Sequence, residues 1–176
     1  MAVRPIVLYP DPLLLRPTRP VVEVSVGVRA LVGDLVETMR AAPGIGLAAN
    51  QLGVSSRVCV IDLTLGEDPS ELKVLINPVV RETEGSQIGE EGCLSFPDIT
   101  LEIERAYRAT VDALDLEGRS FTLTGEGLLA RAMLHEIDHL DGRTFIQYVS
   151  SLKRELLKRQ IRKRMKSGDW IGLDAR

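Results

Sequence analysis

Apolar residues along this chain recur with two periods, and the switches between them mark its elements. Val28, Leu31, Val32, Leu35, Val36 and Met39 fall at helical spacing, which predicts a helix over 26–41. Ser25 supplies an N-cap for it and Pro43-Gly44 a stop. Shorter runs rich in Val, Ile and Leu follow at Arg57 to Asp62 and Leu72 to Ile76 and read as strands. Ala109 to Leu114 alternates apolar and polar residues, Ser120 to Thr124 is its natural partner, and Asp115-Leu116-Glu117-Gly118 between them reads as a hairpin turn. Helical spacing returns over Gly127 to Leu140 and again over Leu152 to Met165. The opening segment carries Pro5, Pro10, Pro12, Pro17 and Pro20, which predicts extended or turning backbone. A helix, several antiparallel strands and then further helices describe an α+β fold. A length of 176 residues suits one domain over 1–176 with a sizeable core.

Composition narrows the class. The chain is 44% hydrophobic and 27% charged, as expected of a soluble globular protein. No run of about 18 apolar residues occurs, so no membrane span is expected. The apolar stretch at the N-terminus is short and broken by prolines, which argues against a secretory signal. Cys59 and Cys93 are the only cysteines, too few for a disulfide framework, and a reducing cytoplasm is the expected setting. Charge is segregated. Lys153 to Lys166 holds eight Lys or Arg and one Glu, a net +7, so the other residues sum to −10 in a chain of net charge −3. A solvated helix face is the plain reading of this basic cluster; contact with phosphate is the functional one.

The sharpest chemical signal is His135-Glu136-Ile137-Asp138-His139, which contains the chain's only two histidines. Four residues apart on a helix, they share one face, so both imidazoles can reach one ion. Glu136 is rotated off that line and is placed to handle the proton of a water beside the ion. A catalytic site of this kind usually takes three protein ligands and keeps a position open. Asp141 and Glu155 follow the motif, but Cys93, in Glu91-Gly92-Cys93-Leu94-Ser95, is the better third candidate, since a thiolate binds divalent metals tightly. Cys59, flanked by Val58 and Val60, reads as a buried small hydrophobe.

Three motifs stand in order: Gly44-Ile45-Gly46-Leu47-Ala48-Ala49-Asn50-Gln51, Glu91-Gly92-Cys93-Leu94-Ser95 and His135-Glu136-Ile137-Asp138-His139. With them the chain resembles the peptide deformylases over nearly its whole length. Tyr9-Pro10-Asp11-Pro12, Leu15-Arg16 and Pro20-Val21 are similar to the N-terminal segment of that family. The resemblance implies a single-domain α+β fold, with antiparallel β-sheets packed around a central metal-binding helix and a C-terminal helix beyond. It implies hydrolysis of the formyl group from N-formylmethionyl peptides. Cys93, His135 and His139 become metal ligands, Glu136 the general base and acid, and the Gln51 side chain with the Leu94 backbone N–H the oxyanion donors. The implied ion is Fe2+, with Zn2+, Ni2+ or Co2+ able to substitute. The implied partner for the basic C-terminal helix is the ribosome near the peptide exit. Two residues depart from the family pattern: Leu134 where Gln is common and Asn50 where Pro is common.

The residues suggest further roles. Gly44 and Gly46 allow close approach of a peptide backbone. Leu128 and Ala132 share the His135 face, and with Ile45 they are candidates for a methionine pocket, although plain core is the commoner fate of such residues. Glu91 and Arg105 are charged groups that the family pattern retains, and both are candidates for binding substrate. Arg105 either binds substrate backbone or holds a carboxylate such as Asp138. Arg131 is expected to bury its stem at the pocket mouth with its head in solvent. The rival readings are a zincin-like protease, which needs a further ligand after His139, a non-catalytic RNA- or ribosome-binding protein, and a hydrolase of another small N-acyl group.

Overall fold

A computed structural model describes residues 2–42 and 44–172. Helix α1 spans Val26–Ala41, and the Ser25 side chain accepts from the Val28 N–H at 3.4 Å. Gly44 N–H then bonds back to Met39 O at 3.0 Å; Pro43, the other half of the expected stop, lies outside the described residues. Next come β1 (Gly46–Ala48), β2 (Val58–Ile61), β3 (Lys73–Glu84), β4 (Gln87–Gly92), β5 (Thr100–Arg105), β6 (Arg108–Leu114) and β7 (Ser120–Glu126). Helix α2 spans Gly127–Leu140 and α3 spans Ser151–Ser167.

The strands form an antiparallel five-stranded sheet in the order β1-β2-β3-β6-β7 and a separate hairpin of β4 and β5. Strand β2 explains why one sheet carries two cores. Its four residues are all buried, and successive side chains point to opposite faces. Val58 and Val60 join Leu31, Val32, Leu35 and Met39 of α1. Cys59 and Ile61 join Ala130, Met133, Ile137 and Leu140 of α2. Helix α2 is thus pressed on one face of the sheet and α1 on the other. Each buried Val, Leu, Ile or Met among them contributes about 1.5–3 kcal/mol. A third core, with Phe96, Ile103 and Phe145, joins the β4–β5 hairpin to Ile161 of α3.

The hairpin turn forms as expected, with Gly118 N–H donating to Asp115 O at 3.0 Å. Strand β3 runs eight residues past the expected Ile76 end. Asn77-Pro78 is accommodated in the sheet by a bulge, with a register shift between Ile76 and Val79. The β4–β5 hairpin is an addition. β5 alternates exposed and buried residues, while β4 carries Gly89 and consecutive glutamates that hide its strand character. Helix α3 departs from its expected stripe. Only Ile161 is buried, whereas Leu152, Leu156 and Met165 are exposed. No helix of the described residues is long and apolar enough to cross a membrane.

Candidate metal centre and pocket

Helix α2 delivers both histidines to the same point. Their rings lie 5.0 Å apart, His135 is 8% exposed and His139 1%. The segment after β4 brings Cys93 against them, with Sγ 3.2 Å from His139 Nε2. One ligand atom from each of Cys93, His135 and His139 lies within 4.8 Å of the others. This thiolate and imidazole set suits a divalent transition metal and leaves room for an open position.

The groups behind the ligands prepare them for an ion. Glu91 accepts from His135 Nδ1–H at 2.8 Å, which turns Nε2 of that ring toward the cluster. Burial pushes the His139 imidazole well below its ordinary value, with the neighbouring His135 and Arg105 adding to it, so it stands neutral as a ligand must. Burial raises the Glu91 carboxyl, but the bonds from His135 and Arg105 outweigh it and hold the group down at about 2. Arg105 donates to Glu91 at 2.8 and 3.0 Å and pairs with Asp138. Asp138 also accepts from Tyr148 at 2.8 Å, and the Tyr148 ring lies 4.3 Å under the guanidinium. A line of bonded charges therefore runs from Asp138 through Arg105 and Glu91 to His135.

That geometry decides the role of Arg105. It is 5% exposed, and its bonds go to the Glu91 and Asp138 carboxylates, the carboxylate-holding role of the two open to it. Arg131 is a correction. Its head is buried, not solvated, and donates to Glu91 Oε1 at 2.8 Å, to Ile103 O at 3.0 Å, and to Gly89 O and Gln87 O at 3.3 Å. Buried carbonyls of β4 and β5 give the guanidinium more partners than solvent access at the mouth would justify leaving.

Glu136 is 4% exposed, and its Oε2 has no partner among the described residues. Burial is the first cause that raises its carboxyl to about 7, with nearby Glu91 adding and His135 opposing. Gln51 is 2% exposed and fixed at both ends. Its Oε1 accepts from Ala48 N–H at 2.9 Å, and its Nε2 donates to Ser95 Oγ at 3.1 Å beside Cys93 Sγ at 3.7 Å. Among the described residues the Leu94 N–H has no acceptor. Asn50 Nδ2–H donates to His139 O at 2.6 Å, a tie to α2 that proline at this position cannot make.

A cavity of about 380 Å³ opens onto the ligands. Gly44, Ile45, Gly46, Gln51, Glu91, Leu94, Leu128, Ala132 and Glu136 line it, as does Arg131. Leu128 is 52% exposed and sits at the mouth, while Ala132 is buried. Phe96 to Thr100 form a wall that no sequence signal marked. Ser95, the acceptor for Gln51, sits inside the second motif and could have been found there by adjacency. The further ligand that a zincin needs is missing from the described residues after His139. Asp141 is paired with Arg57 and Arg143, and Glu155 with Lys158.

Residues 3–155 match the family model described as polypeptide deformylase. A peptide deformylase of Acidobacterium capsulatum is 54% identical, covering 97% of this chain and 100% of that one. That of Alkalilimnicola ehrlichii is 46% identical, covering 96% and 94%. Among solved structures, a peptide deformylase from Legionella pneumophila has a TM-score of 0.86 at 40% identity, covering 94% of this chain and 98% of that one. One from Ehrlichia chaffeensis, in complex with actinonin, has 0.85 at 36% identity, covering 93% and 98%.

Proposed function

This chain belongs to the polypeptide deformylase family, whose reaction removes the formyl group from the N-terminal methionine of new polypeptides, and we propose how its own residues carry that reaction out. The observation behind the proposal is a buried Glu136 carboxylate with an unpartnered oxygen, one residue from the first histidine of a Cys93, His135 and His139 cluster. Cys93, His135 and His139 would hold a divalent ion, which would supply Lewis acidity and make a nearby water more acidic, with a pKa of about 7 in well-studied zinc sites.

Glu136 takes a proton from that water on Oε2. The water oxygen forms its bond to the formyl carbon, and Gln51 Nε2–H and Leu94 N–H donate to the oxygen that becomes negative. Loss of one such donor typically costs on the order of 100- to 1,000-fold in rate. Glu136 then delivers its proton to the amine nitrogen as the C–N bond breaks, leaving formic acid, which loses its proton to the amine or to water to become formate, and a free N-terminus. A carboxyl raised to about 7 is matched to both transfers near neutral pH. Glu91, held by Arg105 and Arg131, keeps the His135 ring aimed at the ion. Gly44, Ile45 and Gly46 offer an edge along which a peptide adds as a strand. Ile45, Leu128 and Ala132 enclose the methionine side chain.

Three finer assignments complete the reading. The ion is Fe2+, with Zn2+, Ni2+ or Co2+ as substitutes; a ligand set of one thiolate and two imidazoles supports this class of metals. Action is in the cytoplasm, where Cys93 stays reduced and able to bind. The exposed Lys153, Arg159, Arg162, Lys163 and Lys166 of α3 supply the charge for a phosphate-rich partner, the ribosome near its peptide exit.

The test is formate release from formyl-Met-Ala-Ser by protein purified without air and loaded with Fe2+ or Ni2+. Glu136→Gln runs in parallel. Release by the wild type, lost in the variant while the metal stays bound, supports both reaction and role. A fully metallated wild type that releases no formate would overturn the reading.

A further inference from the structure

The C-terminal segment closes back on the wall of the pocket. Arg164, in the last turn of α3, donates to Pro97 O at 2.9 Å and to the Asp98 carboxylate at 2.8 Å. It also donates to Asp169 O at 3.0 Å, and its guanidinium lies 5.0 Å over the Trp170 ring. Trp170 in turn donates Nε1–H to Tyr9 O at 2.7 Å. Tyr9 stacks on Phe96 at 4.8 Å, and its N–H donates to Ser95 O at 3.0 Å. Ile161, the buried residue of α3, packs in the same core as Phe96 and Ile99. Both Arg164 and Trp170 lie beyond residue 155, where the family match ends.

The segment so gripped needs holding. Asp98 has a φ of +59°, a left-handed conformation uncommon for residues with a Cβ, which Asp tolerates better than most when its side chain is hydrogen-bonded. Arg164 brackets this residue, with one bond to the carbonyl before it and one to its own carboxylate. The inner half of the segment is secured separately. Phe96 N–H turns back to Cys93 O at 2.8 Å, and Ser95 is held by Gln51 and Tyr9.

We infer that Arg164 is a positioning residue for substrate: it preorganises the Pro97–Asp98 corner of the wall, so that an incoming peptide meets a formed surface instead of one it must order. The inference rests on the deformylase reading. It separates binding from chemistry, because Cys93 keeps its contact with His139, Gln51 its bonds to Ala48 and Ser95, and Glu136 its place on α2 when Arg164 is removed.

The experiment compares metal-loaded wild type, Arg164→Ala and Arg164→Lys on formyl-Met-Ala-Ser, with metal content measured for each. Trp170 is the only tryptophan, so its emission reports whether the latch is closed. Arg164→Ala should raise KM about ten-fold, the size expected when one or two side chains have to be ordered on binding. Its kcat should stay within about two-fold of wild type, since no group at the reacting atoms is lost. The metal content should stay full and Trp170 emission should shift to the red. Arg164→Lys, which keeps the charge and fewer bonds, should fall between. An unchanged KM with red-shifted emission overturns the inference, as does a fall in kcat with loss of metal. No formate release from the wild type would instead count against the deformylase reading, and it is seen before any variant is compared.

Discussion

Gly46 and Glu136 occupy one another's space: a methyl group built on Gly46 would stand where the Glu136 carboxylate lies. The carboxylate is the end of a flexible side chain, so a larger residue at 46 displaces it without breaking the strand. Gly46→Ala should therefore fold and keep its metal while kcat falls about 100-fold, the cost expected of moving a reacting group by roughly an ångström. Formate release together with metal analysis checks this. A variant with wild-type kcat would show that the carboxylate is not where the reaction needs it.

Arg131 donates to one carboxylate and three carbonyls on the back of the pocket. Methionine at 131 fills similar volume but leaves Glu91 with Arg105 as its one remaining guanidinium partner, and strips three carbonyls of a donor. Arg131→Met should destabilise the protein by about 3 kcal/mol, near the lower end for breaking a buried ion pair. Arg131→Lys should recover less than half, because an ammonium cannot span the same acceptors. Urea unfolding of the metal-loaded proteins measures both. A loss under about 1 kcal/mol for the methionine variant would mean that solvent reaches these groups.

Asp62 ties the loop after β2 to α1. Its buried carboxylate accepts from Thr64 Oγ1–H at 2.7 Å and from Arg40 at 3.0 Å, while its N–H bonds to Ile45 O at 2.9 Å. The Thr64 hydroxyl is the first cause that lowers its carboxyl below the ordinary value; burial opposes, and Arg40 adds to the lowering. A folded pKa below the unfolded one, about 3.9, contributes stability that is present above that pH and lost as pH falls through the folded value. The Tm gap between wild type and Asp62→Asn should thus be widest above about pH 4 and should close on further acidification. Thermal unfolding from pH 7 down to pH 3 reads the gap. If it stays constant, Asp62 acts by shape and not by charge.

Local pattern determined a good deal of this protein. The period of 3.6 residues located α1 and α2, because each helix must put one apolar face on a core, and β2 betrayed its burial on both faces by an unbroken apolar run. The spacing of His135 and His139 already implied one shared ion, since four residues make one turn. The three motifs carried the family, and the histidine motif placed Glu136 beside its ligand. Tertiary structure decided the rest. Cys93 reaches His139 across 46 residues and Gln51 meets Ser95 across 44, distances over which no local period operates. Arg105, Arg131 and Arg164 show the same limit more sharply. A guanidinium has five donors on a flexible stem, and its sequence neighbours do not reveal which carbonyl or carboxylate it will find. The chain alone therefore left Arg131 in solvent and Arg105 undecided, and only packing of the β4–β5 hairpin against α2 brought their partners within reach.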